Sequence, residues 1–394
     1  MRRNKQENGL QMQAVFIWGD KLAGNFEGIK TRNFGIEIEM TGLTRCQAAR
    51  AIAKVLGGTA FHEGGSYDKY TVDDEQGRTW SIVYDGSVKC VDANGNSASK
   101  SYSVELNSPV LGYEDIPLLQ EVIRALRHAK GRCGPEYCCG THIHISADDY
   151  TPQQIRNLVN IFASKEDFLW DALQVSSARS GYCAKSDSRF VEELNRKKPK
   201  TIEKIKELWY RGNMSEQYRH YSNTRYHALN LHSYFQHGHY EIRCCNASLH
   251  AGEVRAQIVL ALAISNAAMT KKYCSPSVSH SDNMRYSFRV WLLNLGLIGD
   301  EYKNCRTHLL KHLTGDIAWR HPEDGVAQRE RLRQERIAAR EQEQQNEPPC
   351  DERVATVCDD RQEVGGTPDE NLEAAVSDCD DFEETEDEGM AMSM

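Results

Sequence analysis

Apolar and polar residues alternate with a period of two in NFGIEIEM from Asn33, TWSIVYD from Thr79, YSVELNSP from Tyr102, THIHIS from Thr141, RYHALNLHS from Arg225 and YEIRCCN from Tyr240. Successive strand side chains point to opposite faces, so each segment predicts a strand with one face in a core. Helical spacing separates some of them. TRCQAARAIAKVLGG opens on Thr44 as N-cap and stops at Gly57 and Gly58, and EDIPLLQEVIRALRHAKG keeps its apolar positions at helical spacing up to Gly131. TPQQIRNLVNIFASKEDFLWDAL carries Thr151 as N-cap and Pro152 at the first helical position. Two more helices are expected, near 252–271 and 284–297. Strands followed by one long helix, then hairpin-like strands in quick succession, predict an α+β layer structure with a largely antiparallel sheet, not regular βαβ winding. No internal repeat is visible.

The pattern changes at Pro322. EDGVAQRERLRQERIAAREQEQQNE is charged all round, which predicts a solvated helix over 322–347 with little to bury. Residues 348–394 hold 16 Asp and Glu against two Arg and few aromatics, the composition of a disordered tail. The formal charge of −9 therefore misleads, because the rest of the chain carries a net +5. That mild excess suits a folded body handling phosphorylated ligands and is too weak to argue for nucleic-acid binding. The 40% hydrophobic content is enough for a substantial core in residues 1–321.

Thirteen cysteines would point to disulfides in a secreted chain, but MRRNKQENGLQMQ lacks the apolar run of a signal peptide, so a cytoplasmic protein is expected. The cysteines include the adjacent pairs Cys138–Cys139 and Cys244–Cys245, without the paired spacing of a zinc ribbon, and read mostly as small buried hydrophobes. The longest apolar stretch, IVLALAISNAAM from Ile258, is too short and interrupted to span a bilayer.

The polar faces of the strands carry the chemistry. Opposite Phe34, Ile36 and Ile38 stand Gly35, Glu37 and Glu39, two carboxylates with no basic neighbour in the strand. In YSVELNSP, Glu105 shares a face with Ser103 and Asn107; in THIHIS, His142 and His144 share one; in YEIRCCN, Glu241 and Arg243 share one. Each alone has an ordinary explanation: an exposed strand face, half-buried histidines bonded to backbone, a surface ion pair worth little. Their conjunction is harder to explain that way. Several carboxylates with one or two imidazoles make a hard, oxygen-rich site suited to Mg²⁺ or Mn²⁺ holding phosphates, and Arg243 and Arg225 would neutralise a transferring phosphoryl group. No P-loop glycine motif is present, so a nucleotide would have to be held by the sheet itself.

The ordered set FGIEIE, YDGS, VELNSP, GTHIHIS, RYHALNL and YEIRCCNAS resembles the amidoligase family, relatives of glutamine synthetase and glutamate-cysteine ligase, from about Phe34 to Lys271. The resemblance implies a curved antiparallel sheet of the glutamine-synthetase type, with the site on its concave face and helices on the convex side. It implies ATP-dependent joining of a carboxylate to an amine through an acyl phosphate. By motif, Glu37, Glu39, Glu105, His142 and Glu241 correspond to metal ligands, His144 and Arg243 to phosphate contacts, and Arg225 to a second phosphate arginine. Asp85, in the DGS element, is assigned to metal or substrate without a choice between them.

The chain departs from the family pattern over about 183–222, a basic, helix-prone insertion readable as a lid, a substrate-recognition element or a plain surface addition. Arg179, Tyr182 and Arg189 at its start are further candidates. The expected partners are ATP, a carboxylate donor and an amine acceptor, peptide or protein among them, with no nucleic acid and no membrane, in a monomer or dimer. Two other readings stand beside this one: a metal-dependent hydrolase or phosphotransferase on the same residues, and a non-catalytic binding descendant.

Overall fold

The alternating segments assemble into one open sheet of eight strands, seen in a computed structural model that describes residues 26–346. The strands are β1 (Phe34–Met40), β2 (Phe61–Gly64), β3 (Lys69–Asp73), β4 (Thr79–Val83), β5 (Val104–Asn107), β6 (Gly140–Ser146), β7 (Leu229–Asn230) and β8 (His239–Asn246). Their order is β2-β3-β4-β5-β1-β6-β8-β7, and every neighbouring pair is antiparallel. The class is α+β, as the pattern predicts.

Ten α-helices are described: α1 (Arg45–Leu56), α2 (Ile116–His128), α3 (Pro152–Ala172), α4 (Ser188–Lys197), α5 (Ile202–Trp209), α6 (His232–His237), α7 (Ala251–Thr270), α8 (Met284–Asn294), α9 (Lys303–Leu310) and α10 (Pro322–Asn346). Thr44 and Thr151 cap α1 and α3 in reciprocal capping boxes with Gln47 and Gln154. Gly57 ends α1 in the left-handed conformation. The apolar stretch from Ile258 lies within α7, which is buried nearly all round and packs against β6, α2, α3 and α9. Among the described residues no helix is long and apolar enough to cross a membrane.

One face of the sheet forms the core. Ile36 and Ile38 of β1, Leu106 of β5, Ile143 and Ile145 of β6, and Tyr240 and Ile242 of β8 are buried there beneath the helices. Each strand thereby turns its polar parity to the opposite face. Two elements depart from the sequence reading, and a third, the insertion, folds as helices as its composition predicts. The hairpin β2–β3 has no simple alternation, because no residue of β2 is buried. The segment from Arg225 yields only two strand residues, since α6 begins at His232. The insertion folds as α4 and α5; Phe190 and Leu194 pack it into the core, and the Asn160 and Asn195 amides exchange hydrogen bonds at 2.8 and 2.7 Å between α3 and α4.

Ten cysteines are free among the described residues, and six of them are buried, in keeping with small core hydrophobes. The chain divides into two compact units, one up to Leu332 and one from Arg333. Within the second, the side chains of 333–342 are exposed on every side of α10, as the charge pattern predicts. The acidic segment 348–394 lies outside the described residues.

Candidate active site

Register explains why residues far apart in sequence meet. Glu39 of β1 stands opposite Glu105 of β5, Glu37 opposite His142 of β6, His144 opposite Glu241 of β8, and Glu241 opposite Asn230 of β7. A band of polar side chains therefore crosses five adjacent strands on the face away from the core. Asp85 joins it from the loop after β4. Its Oδ1 accepts from the Ser87 N–H and hydroxyl, and its backbone N–H donates to the buried Ser103 at 3.0 Å, which pins the DGS turn to the start of β5.

Two groups of ligand atoms result, each with its members within 4.8 Å of one another: Glu37, His144 and Glu241, and Glu39, Asp85 and Glu105. This grouping includes His144, which the resemblance assigns to phosphate, and does not include His142, which it assigns to metal. His144 Nε2 lies 3.0 Å from Glu37 and shares the first group. His142 sits between the groups, its Nδ1 3.1 Å from Glu37 and 3.4 Å from Glu241, its Nε2 3.9 Å from Glu39. Asp85, left open between metal and substrate, takes its place with the carboxylates.

Burial opposes ionisation of Glu37, Glu39, Glu105 and Glu241, and the neighbours decide the outcome. At Glu37, His144 and His142 outweigh burial and hold the carboxyl well below its ordinary range. At Glu241, Arg243 and the two histidines do the same. At Glu39, burial with the charge of Asp85 prevails over His142 and the Gly140 N–H, and titration moves up. Glu105 is pushed well above the ordinary range by burial and by Glu37 and Asp85. Burial disfavours the charged form of His144, but Glu37 and Glu241 raise its pKa overall.

The first group is thus balanced by protein cations. In the second, among the described residues, none of the three acids forms an ion pair with lysine or arginine. A buried all-carboxylate set in which Glu39 and Glu105 resist ionisation fits a hard divalent cation, and the mixed set fits a second.

The arginines are engaged. Arg243 Nη1 donates to Glu241 Oε1, its Nε donates to the Tyr182 carbonyl at 3.2 Å, and its guanidinium lies 6.0 Å from the Tyr226 ring centroid. Asn230 holds the other oxygen of Glu241 at 2.6 Å, so this carboxylate is fixed at both ends. Arg225 lies over the Tyr221 and Tyr226 rings and lines a cavity of about 250 Å³ together with Glu37, His144, Asn230, His239 and Glu241. His220 and Arg225 bring the return of the insertion into that wall.

Of the further candidates, Arg179 has the closest connection. Only 2% exposed, it donates to the carbonyls of Arg243 and Cys245 and places Nη2 3.5 Å from His142 Nε2. Gly140 makes room for it, since a Cβ there would overlap the guanidinium. Tyr182 contributes its carbonyl. Arg189 does not join the site and pairs with Glu193 on the insertion surface.

His239 escaped the sequence reading. Its Nδ1 is 3.2 Å from that of His144 and 3.0 Å from the Ser233 hydroxyl, and burial with the neighbouring His144 and His237 pushes its pKa down to about 4. The signal was present: His239 has the parity of Glu241 and Arg243, one residue before the alternating segment.

No curated protein matches the chain. A family model described as "putative amidoligase enzyme" matches residues 30–265, more than half of the 394 residues. The match runs from before β1 into α7 and so takes in every strand that carries a site residue. The chain belongs to the amidoligase family.

Proposed function

We propose that this member is an ATP-dependent acid–amine ligase, working on the polar face of a sheet equivalent to that of glutamine synthetase. The observation that carries the reading is the pairing of an all-carboxylate group with a mixed carboxylate–imidazole group on adjacent strands, beside a cavity walled by Arg225. Glu39, Asp85 and Glu105 would hold one Mg²⁺ or Mn²⁺, and Glu37, His144 and Glu241 a second. When bound, such ions neutralise phosphate oxygens and lower the repulsion between ATP and an incoming carboxylate.

The chain's own residues do the rest. His142 orients Glu37, Glu39 and Glu241 from between the two groups, and Arg179 fixes His142 from behind. Arg225 and Arg243 offset charge on the transferring phosphoryl group. The carboxylate oxygen of the donor attacks the γ-phosphorus, the bond to ADP breaks, and an acyl phosphate forms. The amine then attacks the acyl carbon, releases phosphate and gives up a proton. The Tyr67 and Tyr221 hydroxyls meet at 3.3 Å, joining the β2–β3 turn to the insertion, where they would help keep water from the intermediate.

Hydroxylamine tests the reaction class, because it can replace the natural amine. With ATP, Mg²⁺ and a pool of amino acids, dipeptides and glutamate-containing peptides, hydroxamate and ADP are expected together. ADP or phosphate without hydroxamate for every donor would favour a hydrolase or phosphotransferase instead.

A further inference from the structure

A third group of ligands lies apart from the active site. His250, Glu253 and His308 each bring one ligand atom within 4.8 Å of the others. His250 is the N-cap of α7, Glu253 lies in its first turn, and His308 comes from α9, which packs on α7. All three are half-buried. Ser248 donates to Glu253 Oε2 at 2.6 Å and so orients the carboxylate. A cavity of about 200 Å³ opens beside the group, with His308, Glu253, Lys311 and His312 in its lining.

Gly252 gives an independent indication. A Cβ there would stand 2.6 Å from His308 Nε2 and 3.3 Å from His250 Nδ1. Its backbone is helical, without a positive φ, so no conformational demand explains a residue that weakens helices. The bare backbone is needed by the two imidazole nitrogens that converge over it.

We propose that His250, Glu253 and His308 bind a borderline transition-metal dication, zinc foremost, at a site separate from the carboxylate-rich groups of the sheet. Two imidazoles and one carboxylate suit zinc better than magnesium, and three protein ligands leave a fourth position for water or for His312, four residues beyond His308. The ion competes with existing contacts of its ligands. His250 Nδ1 accepts the Glu253 backbone N–H at 3.2 Å, and Lys311 pairs with Glu253 Oε1. Lys311 therefore competes with the metal for the carboxylate, and Lys311→Met strengthens binding.

The test is titration of the chelator-stripped full chain with Co²⁺, read by visible absorption, followed by displacement with Zn²⁺. The first equivalent should bind with the spectrum of nitrogen and oxygen ligands and no thiolate charge-transfer band. Binding should persist in Glu39→Gln and Glu241→Gln, which remove active-site carboxylates. His308→Ala should weaken it by at least about tenfold. Gly252→Ala should do the same and is the more decisive variant, because its methyl displaces the mobile end of His308 while favouring the helix; circular dichroism checks the fold. Binding unchanged in Gly252→Ala, loss of binding in Glu241→Gln, a thiolate band, or no uptake of Co²⁺ would each overturn the proposal.

Discussion

Glu105 faces Glu39 directly across β1 and β5, and like charges so placed repel. Burial, then Glu37 and Asp85, hold its pKa well above the ordinary 4.5. The folded state therefore binds more protons than the unfolded chain above that value, and the group's contribution to stability falls as pH rises through the window between 4.5 and the raised pKa. Glu105→Gln should raise the thermal midpoint of metal-free protein near neutral pH and flatten its decline. It should also reduce the stabilisation that Mg²⁺ gives the wild type. Melting curves across about pH 5 to 8, in chelator and in Mg²⁺, check both effects; a lower midpoint for the metal-free variant would contradict the account. At this scale much was legible, because strand parity alone placed Glu37 with Glu39, His142 with His144 and Glu241 with Arg243. What parity cannot show is which ligands group together. Register and side-chain reach decide that, and they bring His144 into one group with Glu37 and Glu241.

The strand β6 joins core to site, and its two faces should respond differently to truncation. Ile143 is fully buried between β1 and β8, so Ile143→Ala should cost about 2 to 5 kcal/mol in denaturant unfolding. A loss well under 1 kcal/mol would mean that the strand is not anchored as described. Elements with one buried face were readable from sequence, since burial imposes the alternation. Elements without one were not: β2 has no buried position, and no period marks it. β7 was overestimated for a local reason. Asn230 Oδ1 accepts the N–H groups of His232 and Ser233 at 2.8 and 3.4 Å, turning the chain into α6, while its Nδ2 holds Glu241. One side chain thus ends the strand, starts a helix and fixes a ligand. The insertion was legible as helical, but the choice between site element and surface addition was not, because it depends on where α4 and α5 return the chain.

Over the whole molecule, the family match and the sheet cover the same stretch, residues 30–265 taking in all eight strands. The insertion supplies His220 to the cavity, next to Arg225 of the strand segment that follows it, so it is the natural place for substrate preference to be set. The ligase reading requires that an oxygen of the donor carboxylate pass to phosphate. The most direct measurement follows that atom, using the donor that yields hydroxamate, with its carboxylate labelled with ¹⁸O. After turnover with ATP and an amine, mass spectrometry of the released phosphate should show one labelled oxygen transferred per amide formed. Unlabelled phosphate alongside labelled amide would contradict an acyl phosphate, and with it the proposed chemistry of the site.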